Sequence, residues 1–165
     1  MPVIKIETYI NADIQVVFDL SRSVDLHLIS ASHTHEKAVA GKTSGLMELG
    51  DTVTWQAKHL GITQKLTVVI TGLKAPAYFA DEMTKGAFKT MRHEHIFTAI
   101  EGKVLMTDIF TYKSPFGILG KLADALFLKR YMYNFLKKRN EVIKAIAESK
   151  EQYKKILPLY NGRIR

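Results

Sequence analysis

The chain has 165 residues, 47% hydrophobic and 24% charged, and no cysteine. That is the composition of one globular domain long enough to bury a core, and it excludes a disulfide framework, a thiolate metal site and a cysteine nucleophile. The formal net charge is +8; residues 1–113 carry 12 basic and 12 acidic side chains, and residues 114–165 carry 12 basic and 4 acidic ones, so the excess belongs to the C-terminal segment.

Residues 3–10, VIKIETYI, alternate with the period of a half-buried strand. Asn11 or Asp13 is placed to cap a short helix through Leu20, with Ile14, Val17 and Phe18 as its apolar face. A second short helix is expected over 24–29, a strand over 36–40, and then a loop holding Gly41, Gly45 and Gly50. Residues 51–60 put Val53, Trp55, Ala57 and His59 on one face, and Gly61-Ile62 is read as the two-residue turn into a strand over 63–73, where Leu66, Val68 and Ile70 share a face. Strands over 78–83, 89–100 and 103–112 follow, the last two joined at Glu101-Gly102.

After Tyr112 the period changes from two to that of a helix. Ser114-Pro115 reads as a cap and a first-turn proline. One apolar face holds Leu119, Leu122, Ala123 and Leu126, and a rotated one holds Leu128, Met132, Phe135, Leu136, Val142, Ile143 and Ile146, so the helix is expected to bend or break near Phe127. Pro158 ends any helical continuation. The order predicts an α+β domain: a curved antiparallel sheet of about seven strands, two short helices after the first strand, and a long C-terminal helix as the only cover for the apolar face. The domain is expected over 1–150, with 151–165 as a basic C-terminal tail in which LPLYNGRIR, residues 157–165, is loose. No apolar run approaches the roughly 18 residues of a membrane span, and MPVIKIETYI lacks the apolar segment of a signal peptide, so the expectation is cytoplasmic.

Four stretches look like one family: PVIKIETYINADIQVVFDL, GLMELGDTVTWQAKHLGITQKLT, YFADEMTKGAFKTMRHEHIF and LMTDIFTYKSPFGILGKLAD. They resemble the START and birch-pollen-allergen superfamily, in particular its bacterial polyketide cyclase/dehydrase and lipid-transport-like branch, often called SRPBCC proteins. The resemblance spans about residues 2–148. It implies the helix-grip fold and a hydrophobic cavity between sheet and helix. It names no substrate, because carriers, receptors and enzymes share this fold; an enzyme would be of the cyclase or dehydratase type, without cofactor.

The turn at Glu101-Gly102 sets a register in which Phe97 faces Met106, His95 faces Asp108, His93 faces Phe110 and Met91 faces Tyr112. Inward parity then gives a cavity wall of Trp55, Val68, Phe79, Met91, Phe97, Met106 and Phe110, closed by Leu122, Leu126 and Met132 of the helix. Asp81 falls near His93 if its strand face points inward, so His93, His95, Asp81 and Asp108 form a polar group on an apolar wall. Three roles fit such a group. Asp108 pairs with His95 and fixes the sheet. Or the group orients the polar end of an apolar ligand. Or His95 and Asp108 act as a general base, or His-x-His with Asp108 or Asp81 holds a metal. No further ligand cluster appears, and neither metal nor cofactor is assigned. Arg139 lies inside the apolar stripe, where it either snorkels outward or meets Asp108, Asp81 or a ligand carboxylate. His59 is read as a rim residue, and His27, His33 and His35 as surface.

The leading partner is a small hydrophobic ligand of lipid, polyketide or aromatic type. An anionic membrane surface is a second partner for the basic segment, where Phe127, Leu128, Tyr131 and Tyr133 lie among Lys129 and Arg130. Nucleic acid is disfavoured, since no zinc-finger spacing or RNP-like motif appears. Monomer and homodimer both remain open.

Overall fold

Side-chain alternation and tight turns fold most of the chain into one antiparallel sheet. A computed structural model describes residues 1–115 and 117–157, apart from the side chains of Leu119 and Lys121. β1 (Val3–Ile10) leads into α1 (Ile14–Ser21), α2 (Val24–Ser30) and a 3-10 turn (Ser32–Thr34). Then come β2 (Lys37–Gly41), β3 (Thr52–His59), β4 (Ile62–Lys74), β5 (Tyr78–Lys85), β6 (Thr90–Ile100) and β7 (Lys103–Lys113). The strand order is β1-β7-β6-β5-β4-β3-β2, a seven-stranded sheet in which the meander β2 to β7 closes onto β1.

The turn at Glu101-Gly102 sets the expected register, with Ile100 opposite Lys103 and His95 opposite Asp108. Both turn residues have positive φ, 48° and 78°, the geometry that matches strand twist. The β3–β4 turn is one residue earlier than expected: His59 pairs with Ile62, and Leu60-Gly61 takes the positive φ values, 51° and 81°. Register shifts in β4 between Thr67/Val68 and Ile70/Gly72, and in β2 between Ala38/Ala40, bend the sheet into a concave surface. At Gly72 an added Cβ would sit 3.0 Å from the Tyr78 ring, so the bulge leaves no room for a side chain.

The short helices start where capping chemistry allows. Asp13 accepts from the backbone N–H of Gln15 (2.8 Å) and Val16 (3.4 Å), and Ser23 accepts from Leu26 (3.2 Å). The C-terminal helix is broken, as expected: α3 (Gly117–Ala123), a π-helical turn (Asp124–Leu128) and α4 (Lys129–Ala147). Ser114 and Pro115 do not cap it. The Ser114 hydroxyl donates instead to Asp124 (2.6 Å), and Gly120 packs so closely on Pro115 that a Cβ there would lie 2.0 Å from its carbonyl oxygen.

The basic C-terminal segment begins as α5 (Lys150–Ile156), with Tyr153 buried in the core, as is Leu157, the first residue of the stretch expected to be loose. These two apolar side chains supply the burial that holds the added turn. Pro158 and residues 158–165, and the side chain of Leu119, lie outside the described residues. No helix among the described residues is long and apolar enough to cross a membrane.

Candidate functional site

The inner face of the sheet has two zones. Near β1, α1 fills the space. Phe18 packs edge-on against Phe97 (5.6 Å) and Phe79 (5.8 Å), and Ser21 Oγ lies 3.5 Å from Met106 Sδ. Towards β3 and β4 the sheet curves away beneath α4 and encloses a cavity of about 510 Å³. Its wall includes Val53, Trp55, Val68, Phe79, Met91 and Phe110 from the strands and Met132, Phe135 and Leu136 from α4.

A polar cluster sits on the boundary between packed core and cavity. Asp108 is fully buried. Its Oδ1 accepts from His93 Nε2 (2.8 Å) and Arg139 Nη1 (3.4 Å), and its Oδ2 from Asn140 Nδ2 (2.7 Å). His95 Nε2 donates to Asp81 Oδ1 (3.3 Å). His95 Nδ1 also lies 2.8 Å from Asp108 Oδ1, but at an angle that makes no hydrogen bond. So Asp108 does meet His95, while the aligned bond comes from His93, whose ring centroid is 3.8 Å from that of His95. Arg139 does not snorkel. It is 6% exposed, and its Nη2 donates to the Ser21 carbonyl (3.0 Å). Its position on the stripe turns it inward at the level of Asp108.

The cluster holds together electrostatically. Burial alone would raise the Asp108 carboxyl, but the close approach of His93 and His95 holds it well below the usual carboxylate range. Burial opposes ionisation of Asp81 too, and His95, His93 and Arg139 outweigh it and lower its pKa. Burial, with the His95 ring beside it, pushes His93 down to about 4 against the pull of both aspartates. At neutral pH, His93 is therefore a neutral ring that donates from Nε2, and both carboxylates are ionised.

Asp81, His93, His95 and Arg139 reach the cavity wall; Asp108 lies behind them. Asp108 can therefore position the two histidines but does not face a ligand. Asp81, His93 and His95 each bring one ligand atom within 4.8 Å of the others. His93 Nε2 and His95 Nε2 are already engaged with Asp108 and Asp81, while His95 Nδ1 makes no hydrogen bond.

Of the apolar residues expected on the wall, Trp55, Val68, Phe79, Met91, Phe110 and Met132 line the cavity. Phe97 and Met106 point inward but lie in the zone filled by α1. Leu122 and Leu126 are corrected: they are 54% and 71% exposed and face outward. The expectation separates this face from that of α4 and breaks the helix near Phe127, but turns both faces towards the cavity. One extra residue in the π turn rotates the preceding segment by about 100° relative to α4.

Other members of the site escape a reading of the sequence. Asn140 resembles ordinary helix polarity; its signal is its position four residues after Leu136 and three before Ile143, on the buried stripe. His27, expected on the surface, stacks on Trp55 (4.0 Å) and lies 3.2 Å from Glu36 Oε1. Helix α2 folds back over β3 and carries it there. His59 sits at the rim as expected, with its Nδ1 2.8 Å from the Tyr131 hydroxyl across the cavity mouth. His33 and His35 are exposed.

No family model matches the sequence, and no curated protein matches it. Solved structures do. The chain superposes on the TTHA0849 protein of Thermus thermophilus with TM-score 0.68 and 18% identity, covering 87% of this chain and 98% of that one. It superposes on major latex-like protein 151 of Panax ginseng with TM-score 0.67 and 14% identity, covering 90% and 98%. For a START superfamily protein from Mycobacterium smegmatis the TM-score is 0.67 at 7% identity, covering 88% and 97%. The chain has the helix-grip fold of the START and birch-pollen-allergen superfamily. At these identities the likeness speaks for the helix-grip architecture; the chemistry rests on the side chains of this chain.

Proposed function

We propose that this helix-grip protein binds a small, mostly hydrophobic molecule, of lipid, polyketide or aromatic type, with one polar end seated against Asp81, His93 and His95. The observation that carries the reading is the cavity of about 510 Å³, walled mostly by apolar side chains and broken by this cluster on its β5–β6 side. Volumes of this order enclose drug-sized ligands, and a few fixed polar groups on an apolar wall set orientation. Asp81 is held ionised and accepts from His95, so the complementary end of the ligand is a hydrogen-bond donor.

The test is uptake of an environment-sensitive naphthalene dye by the purified protein. Saturable, one-to-one binding with a blue shift is expected, displaced by long-chain alcohols or polycyclic aromatics. No uptake and no displacement would contradict the reading.

A second reading, docking on an anionic membrane, is favoured by one observation. Ile118 (85%), Leu122 (54%), Leu126 (71%) and Phe127 (47%) are exposed along α3 and the π turn, just before the exposed Lys129 and Arg130. Leu128 and Tyr131 are turned towards the cavity and are not part of this face. Apolar side chains rimmed by basic ones suit an anionic lipid surface. Flotation with phosphatidylserine vesicles at low salt is expected to recover the protein, and Leu122→Ser with Leu126→Ser to reduce recovery. Equal failure on anionic and neutral vesicles would remove this reading.

A further inference from the structure

Across the cavity from the Asp81 cluster lies a second polar group that the binding reading does not use. Glu36, between the 3-10 turn and β2, lines the cavity. Its side chain is only 6% exposed. Oε1 lies 3.2 Å from His27 Nε2, while the buried Oε2 meets no hydrogen-bond partner among the described residues. A buried carboxylate oxygen left unpaired is costly, and native structures rarely keep one without a use.

No Lys or Arg among the described residues forms an ion pair with it. Among the described residues the one ion-pair contact of Glu36 is His27. Burial, with His33 beside it, lowers His59 despite the pull of Glu36, so His59 is a neutral ring at neutral pH. Burial and Glu36 together raise Tyr131, which keeps its proton. Glu36 and His59 thus stand near the β2–β3 end of the cavity, and His95 stands on β6, three strand steps from β3. That is on the order of 14 Å along the sheet at ordinary strand spacing.

We infer that Glu36 receives a protonated amine carried by the ligand, at the end opposite to the one held by Asp81, His93 and His95. An alcohol would satisfy the free oxygen; an ammonium group adds the positive charge that no Lys or Arg among the described residues brings to this carboxylate. The inference rests on the cavity being the ligand site. It narrows the ligand class to hydrophobic amines whose nitrogen sits at the Glu36 end.

The experiment compares three probes of one shape, 2-ethylnaphthalene, 2-(2-naphthyl)ethanol and 2-(2-naphthyl)ethylamine, each competing against a bound apolar dye. The amine should displace the dye at roughly tenfold lower concentration than the alcohol, the scale of one charge-assisted hydrogen bond. Glu36→Gln, nearly isosteric, should bring amine and alcohol together and leave the hydrocarbon unchanged. Equal affinity of amine and alcohol for the unaltered protein overturns the inference without any variant. So does an amine preference that survives Glu36→Gln. If the hydrocarbon also fails to displace the dye, the cavity reading itself fails, a different outcome from loss of amine preference alone.

Discussion

Asp108→Ala should cost roughly 3–5 kcal/mol of folding stability, the cost of removing one partner from a buried charged pair. The substitution strands the aligned donors of His93 and Asn140 and leaves the buried Arg139 guanidinium without its carboxylate. Asp108→Asn keeps the shape and some of the bonds, so its loss should be smaller. Acid acts on the same cluster, and the sign follows from the direction of each shift. His93 is depressed to about 4 from an ordinary value of 6.5. The stability it contributes is therefore complete above pH 6.5 and drains as pH falls towards 4. The difference corresponds to about 3 kcal/mol. Asp108 and Asp81 are also depressed, from 3.8. Their contribution is present above that value and is lost only as pH falls further. Urea melts at pH 7.5, 6, 5 and 4 should show stability falling through this window. A flat profile between pH 7.5 and 4, or an Asp108→Ala protein as stable as the parent, would show that the cluster does not carry this charge.

Filling the cavity should remove apolar binding and leave the fold intact. Ala57 and Val68 are buried residues of β3 and β4 whose side chains face the empty space. In packed cores, enlargement forces strain of about 1–3 kcal/mol. Ala57→Phe with Val68→Phe places two rings where nothing has to move. The double variant should melt at the parent temperature or above it, because new apolar surface is buried without displacement. Its affinity for an apolar dye should fall by roughly tenfold or more, about 1.4 kcal/mol for each tenfold step. Val104→Phe is the contrast. Val104 is 1% exposed and lies outside the cavity wall, and the same enlargement there should destabilise and spare binding. A double variant that loses stability like Val104→Phe would mean the space is not empty.

The sheet is legible in the sequence because its signals are local. Period-two alternation marks the inward set, and Glu101-Gly102 needs only two residues to place His95 opposite Asp108. Asp81 opposite His93 follows from the same parity. The helical cover is less legible. The change of face near Phe127 is legible as a break, but the direction in which the face before it points is a tertiary quantity, so Leu122 and Leu126 fall on the wrong side. Asn140 and the choice of His93 over His95 as the aligned donor depend on how far α4 leans onto the sheet, a tertiary quantity. The Glu36 group joins a loop, α2, β3 and α4, four segments with no shared period, and only the folded chain brings them together.

The account turns on where an apolar ligand sits, and isotope-filtered nuclear Overhauser contacts to a bound naphthalene probe measure that directly. Cross-peaks to Met91, Phe110, Met132 and the His93 and His95 rings are the predicted result, with none to Ile118, Leu122 or Leu126. Contacts confined to Ile118, Leu122 and Leu126 would place the ligand on the outer face of the helix and contradict the account.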